Sequence, residues 1–194
     1  MIKFASAKNI SQMERIKLHD KYFVPYIRYE EISKAIDVVA EKLNNDFRGC
    51  KTPPILLCVL NGSIMFTGEL MKRITFPCEI TSIRLASYEG TLSSGKTKTI
   101  LGLTADIKGR DLIIVEDIVD TGTTIYDIHK TLTIAGANDI KICTLLLKPE
   151  VYNNSLVLDY VAIEVENRFL VGFGLDYNQL GRNCKDIYIL DKSS

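Results

Sequence analysis

The sequence is short of the residues from which thiol and zinc chemistry are built. Its 194 residues hold five cysteines and two histidines. Cys50, Cys58, Cys78, Cys143 and Cys184 are odd in number, widely spaced and without a C-x-x-C pair. That pattern argues against a disulfide framework or a thiolate zinc site. Cys58 and Cys143 sit inside apolar runs and read as buried thiols rather than nucleophiles. His19 and His129 cannot form a zinc site without carboxylate help, and His129 lies at helical spacing from Ile125. Net charge is also missing: 24 Lys and Arg balance 24 Asp and Glu. No global basic field draws in nucleic acid or an anionic membrane, so neither is expected as a partner. No apolar run approaches the ~18 residues of a membrane-spanning helix. The opening MIKFASAKNISQMERIK mixes charged and apolar residues too evenly for a signal peptide. These absences predict a soluble, cytoplasmic protein.

What remains is an ordinary globular composition, 46% hydrophobic, in a length that predicts one domain over 1–194. Ile32, Ala35, Ile36, Val39, Ala40 and Leu43 form one helical stripe, predicting a helix over roughly 30–46. Residues 55–60 (ILLCVL) are a continuous apolar run, the mark of a strand buried on both faces. A turn at Asn61-Gly62-Ser63 then leads into a helix to about Arg73. Further strands are predicted at 77–86, 112–115, 140–147, 160–165, 169–173 and 187–190, and a helix at about 123–135. Residues 87–98 (SYEGTLSSGKTK) have almost no apolar content and predict a surface loop. The βαβ alternation gives an α/β fold with a mostly parallel central sheet flanked by helices. The core spans about 25–165. The ends, about 1–24 and 166–194, fall outside the alternation and are expected to pack together as a small lobe.

Residues 112–125 read LIIVEDIVDTGTTI. A buried strand runs into Glu116 and Asp117, then Asp120, then a Thr121-Gly122-Thr123-Thr124 turn that opens a helix. Ligands of open α/β sheets bind at the carboxyl ends of strands. A turn at a helix start offers free N–H groups and the positive end of the helix dipole. This is a phosphate cradle, and it lacks the spacing of a Walker A loop. A plainer reading has Thr123 or Thr124 merely capping the helix, with Asp127 closing a box. It leaves three acids beside the cradle unexplained. Carboxylates next to a phosphate site call for a cation, so Glu116 and Asp117 point to Mg²⁺. Asp120 is then free to act as a base or an electrostatic stabiliser.

The run E-D-I-V-D-T-G-T-T after four apolar residues resembles the signature of type I phosphoribosyltransferases, which bind 5-phosphoribosyl-1-pyrophosphate there. Leu60-Asn61-Gly62-Ser63 resembles that family's pyrophosphate loop, and Ser87-Tyr88 the start of its flexible lid. Leu147-Lys148, Phe169-Leu170-Val171-Gly172 and Leu175-Asp176-Tyr177-Asn178 resemble the purine-binding elements of the hypoxanthine-guanine branch. The resemblance covers about residues 25–190, in order. It implies the type I fold, with a hood built from the chain ends, and a Mg²⁺-dependent reaction of purine salvage. The 5-phosphoribosyl group passes to N9 of hypoxanthine or guanine, giving IMP or GMP plus pyrophosphate.

The same resemblance assigns roles. Leu60, Asn61, Gly62, Ser87, Tyr88, Glu116, Asp117, Thr121, Gly122, Thr123, Thr124 and Arg182 would bind phosphoribosyl-pyrophosphate. Lys148, Phe169, Leu170 and Asp176 would bind the purine. Glu116, Asp117 and Asp176 would serve Mg²⁺, and Asp120 would be catalytic. It also implies a cis peptide entering the 61–63 loop and a homodimer or homotetramer. The chain departs from the resemblance at Asn61, where many members carry Lys. A charged contact to pyrophosphate is then lost, or supplied by Lys96, Lys98 or Arg182. Xanthine use and a nucleotide-binding regulator on the same fold are the competing expectations.

Overall fold

A computed structural model describes residues 15–88 and 97–191 of the chain. Two short strands, β1 (Ile16–Leu18) and β2 (Lys21–Ile27), precede the long helix α1 (Tyr29–Asp46). The chain continues through β3 (Ile55–Val59), α2 (Ile64–Met71), β4 (Glu79–Tyr88), β5 (Thr97–Leu101) and β6 (Leu112–Val119). Then come α3 (Thr123–Ile134), β7 (Ile140–Leu147), β8 (Tyr160–Glu164), β9 (Leu170–Val171) and β10 (Ile187–Leu190).

The central sheet has the order β5-β4-β3-β6-β7-β8. Strands β4, β3, β6, β7 and β8 run parallel, and β5 closes one edge antiparallel to β4. Successive side chains of a strand face opposite ways. Ile55 and Leu57 therefore join α3 residues Ile125, Ile128 and Leu132 in one core layer. Leu56, with Ile113 and Val115, joins the α1 stripe in the other. Burial on both faces is what the unbroken apolar runs demanded, and each such side chain contributes roughly 1.5–3 kcal/mol. All six predicted stripe residues of α1 are buried.

The chain ends form a second, antiparallel sheet in the order β1-β2-β10-β9. Ile27, Leu170, Ile187 and Ile189 join it to the α1 side of the core, and a buried polar contact adds to this. Asp186 is 3% exposed, accepts the Tyr29 amide at 2.8 Å and pairs with Arg28 at 3.1 Å, at the start of α1.

Several elements differ from the sequence reading, among them β1, which was not predicted. Strand β6 runs to Val119, not Val115, because the ladder to β7 continues through Ile118–Leu146 and Val119–Leu147. Glu116 and Asp117 therefore lie within a strand, despite the low strand propensity of acids. Strand β2 was not predicted, since Pro25 interrupts it. The proline is tolerated where the β10 register shifts, between Ile187 and Tyr188. The strand expected over 169–173 is only two residues long, because positive φ at Gly172, Phe173 and Gly174 turns the chain away. The loop expected over 87–98 overlaps β4 and β5 at its ends, and its residues 89–96 lie outside the described residues.

Candidate active site

The carboxyl ends of β3 and β6 and the start of α3 enclose a cleft of about 430 Å³. Val59, Leu60, Gly62, Glu116, Asp117 and the continuous run from Ile118 to Ile125 line it. The Leu60–Asn61 peptide that enters the first loop is cis, as the resemblance implied. A buried polar net ties this loop to β3. Ser63 Oγ donates to the Val59 carbonyl at 2.8 Å, and Thr67 Oγ1 donates to Cys58 Sγ at 3.3 Å. Gly62 packs directly on Asp117, and a Cβ there would overlap the Asp117 carboxylate.

Glu116 and Asp117 form the cleft floor and are 6% and 9% exposed. Glu116 Oε1 accepts the Asp117 amide at 3.2 Å, and Asp117 Oδ1 accepts the Ile118 amide at 2.9 Å. Glu116 Oε2 is buried with no hydrogen-bond partner. Burial pushes the Glu116 carboxyl well above the usual carboxylate range, and the Asp117 charge beside it adds to the rise. Burial raises Asp117 too, opposed by local hydrogen bonds and by the Arg182 charge. An orphaned carboxylate oxygen beside a second carboxylate suits a hard divalent cation. No cluster of three or more His, Cys, Asp or Glu able to hold a metal occurs among the described residues. A cation here would complete its coordination with substrate oxygens and water, as Mg²⁺ does in phosphate sites.

At the other end of the cleft, α3 begins after Gly122, whose φ of +87° is left-handed. The capping reading is corrected here. The cap residue is Gly122, not a threonine, and no side chain caps the helix. Thr121 Oγ1 stands 3.1 Å from Thr123 Oγ1 and 3.5 Å from the Thr123 amide. Thr121, Thr123 and Thr124 are exposed. The helix start therefore keeps its positive end and three hydroxyls available to an anion.

Asp120 borders the cleft and leads out of it. Lys148 Nζ donates to Asp120 Oδ2 at 2.9 Å and to Asn167 Oδ1 at 3.4 Å. Asn167 lines a neighbouring cleft of about 450 Å³ with Glu150, Glu166, Arg168, Phe169 and Leu190. Phe169 is 47% exposed, which sets aside ordinary core packing and leaves ring surface open to a planar ligand. Leu170 is buried in β9.

Two predicted residues are committed to each other. Arg182 Nη2 pairs with Asp176 Oδ1 at 2.7 Å, and Arg182 Nη1 donates to the Gly174 carbonyl at 2.7 Å. Asp176 Oδ2 also accepts the Gln179 amide at 2.8 Å, the turn-forming role open to an Asp in this run. Arg182 is thus not the free fork expected for pyrophosphate, and its charge is felt at Asp117. Ser87 and Tyr88 end β4, opposite Lys98 and Thr97 of β5. Lys96 falls outside the described residues. Asn167 and the Cys58–Ser63–Thr67 net were missed by sequence reasoning. Asn167 meets Lys148 across 19 residues, and the net joins residues four to nine apart that match no recognisable motif.

Residues 28–178 match the phosphoribosyl transferase domain family. The chain is 38% identical over 162 residues to a hypoxanthine-guanine phosphoribosyltransferase of Streptococcus thermophilus, covering 83% of this chain and 89% of the relative. It is 34% identical over 167 residues to one of Mycobacterium tuberculosis, covering 84% and 83%. A crystal structure of a hypoxanthine phosphoribosyltransferase from Staphylococcus aureus superposes with a TM-score of 0.78 at 32% identity, covering 87% and 91%.

Proposed function

The chain belongs to the hypoxanthine-guanine phosphoribosyltransferases of the phosphoribosyl transferase family, and from that premise we propose how its two clefts perform the reaction. The cleft between Gly62 and Ile125 takes 5-phosphoribosyl-1-pyrophosphate, and the cleft beside Phe169 takes hypoxanthine or guanine. The ribosyl 5-phosphate group passes to N9 of the base, giving IMP or GMP and pyrophosphate.

The amides and hydroxyls of residues 121–124 hold the 5-phosphate at the helix start. Loop 60–62 faces the pyrophosphate, and Asn61 contributes no charge there. Glu116 and Asp117, with substrate oxygens, would hold Mg²⁺, which would neutralise charge on the pyrophosphate. Once parted, Arg182 would pair with pyrophosphate oxygens and Asp176 would be free to hold a second Mg²⁺. Phe169 stacks on the base, with the Leu170 backbone at its edge. Lys148 donates to the 6-oxo group, which adenine lacks. Asp120 accepts or holds the N7 proton and makes N9 more nucleophilic. Ser87 and Tyr88 begin a lid that keeps water from the developing ribosyl cation.

The observation that carries this reading is the Lys148–Asp120 contact, which joins the two clefts. Five unpaired cysteines support a cytoplasmic setting. The family's habit supports a homodimer or homotetramer. Incubating the protein with Mg²⁺, phosphoribosyl-pyrophosphate and hypoxanthine tests the reaction. IMP and pyrophosphate should appear in equal amounts. Binding of phosphoribosyl-pyrophosphate without any product would favour the regulator reading instead.

A further inference from the structure

We propose that Tyr177 is a positioning residue for the purine: it fixes the ring of Phe169, and the β1–β2 turn in turn holds Tyr177. The inference rests on the reading that Phe169 stacks on the base.

A ring that is 47% exposed has no enclosing pocket, so its neighbours must set its orientation. Phe169 has two aromatic neighbours among the described residues. Phe23, fully buried in β2, lies 6.2 Å away at a tilt of 39°. Tyr177 lies 5.8 Å away with the rings at 88°, an edge-to-face contact.

Tyr177 is itself gripped from the other end of the chain. Its hydroxyl donates to Asp20 Oδ1 at 2.8 Å. Lys21 Nζ sits 4.9 Å over its ring, and His19 meets the ring edge-on at 5.7 Å. His19 Nε2 is also 3.1 Å from the Asn178 carbonyl oxygen. Both turns adopt left-handed backbone, at His19 on one side and at Asn178 and Gln179 on the other. Tyr177 and Leu180 exchange amide bonds of 2.9 and 3.1 Å, which close the second turn. Residues 19–21 thus act on base recognition through Tyr177, although they lie far from every catalytic motif.

Steady-state kinetics with each substrate varied in turn tests this. Tyr177→Leu should raise KM for hypoxanthine about three- to tenfold, the scale of an edge-on aromatic pair. KM for phosphoribosyl-pyrophosphate and kcat should stay within about twofold. Tyr177→Phe and Asp20→Ala should each give a smaller, equal rise, and combining them should add nothing, since both remove one bond. The sequence has no tryptophan, so Phe169→Trp provides a sole indole. Adding Tyr177→Leu should lower its anisotropy, and hypoxanthine should restore it. If Tyr177→Leu does not fold, Tyr177→Phe and Asp20→Ala carry the test. Equal rises in both KM values would overturn the proposal. So would an unchanged base KM in Tyr177→Leu while Phe169→Ala raises it. An unchanged base KM in Phe169→Ala would instead overturn the stacking reading.

Discussion

Lys148 Nζ stands 2.9 Å from Asp120 Oδ2, and the pair is lopsided: the lysine side chain is 10% exposed and the aspartate 49%. A buried ammonium needs an acceptor. Without a base, that acceptor is the carboxylate assigned to the purine N7. In the proposed reaction a 6-oxopurine would replace the contact on both sides at once, with a carbonyl oxygen for Lys148 and an N–H for Asp120. Adenine presents an amino donor where Lys148 also donates, so the ammonium would give up its charged partner for no acceptor on the base.

Asp120→Asn should keep the fold and lose turnover. The amide oxygen can still accept from Lys148, but the amide cannot take a proton from N7. We expect kcat to fall by about 10²–10⁴, with phosphoribosyl-pyrophosphate affinity nearly unchanged. Stopped-assay kinetics and a binding titration check this together.

Lys148→Met should act on the base alone. Loss of one charge-assisted bond predicts a rise in KM for hypoxanthine and guanine of roughly 10- to 100-fold. Affinity for phosphoribosyl-pyrophosphate, measured by calorimetry, should move less than about threefold. Equal losses for both ligands would remove Lys148 from the purine.

Gly62→Ala inserts a methyl group against the Asp117 carboxylate, which must then move. Overpacking of this kind costs about 1–3 kcal/mol. The expected outcome is at least a tenfold loss of phosphoribosyl-pyrophosphate affinity with a modest drop in Tm.

The raised carboxyl of Glu116 sets a pH dependence. Burial makes its folded-state pKa higher than its unfolded one, so the folded protein binds more protons between the two values. Stability contributed by this group therefore falls as pH rises through that window. In chelator-treated protein at pH 8, Glu116→Gln should raise Tm by at least ~2 °C, on the scale of ~1 kcal/mol for this length. The gap should close as pH falls toward the unfolded pKa, where Glu116 is already neutral. The same substitution should abolish Mg²⁺-dependent turnover.

Much of this arrangement was legible in the sequence where one stretch of chain carries it. The α1 stripe, the doubly buried β3 and β7, and the Glu116–Thr124 run each announce themselves through local periodicity or spacing. Lys148 beside Asp120 followed from two strands ending at one sheet edge. What was hidden depends on tertiary pairing that no local pattern marks. Strand β2 exists because β10 pairs with it around Pro25. Arg182 looked free until Asp176 and Gly174 were brought to it. Nothing in the sequence set Tyr177 apart before Asp20 and Phe169 were brought to it.

The most direct measurement is a parallel spectrophotometric assay with Mg²⁺, phosphoribosyl-pyrophosphate and hypoxanthine, guanine, xanthine, adenine or uracil. The account predicts turnover with hypoxanthine and guanine, and none with adenine or uracil. Turnover with adenine at a comparable rate, or no turnover with hypoxanthine and guanine, would contradict the pairing of Lys148 and Asp120 across one base.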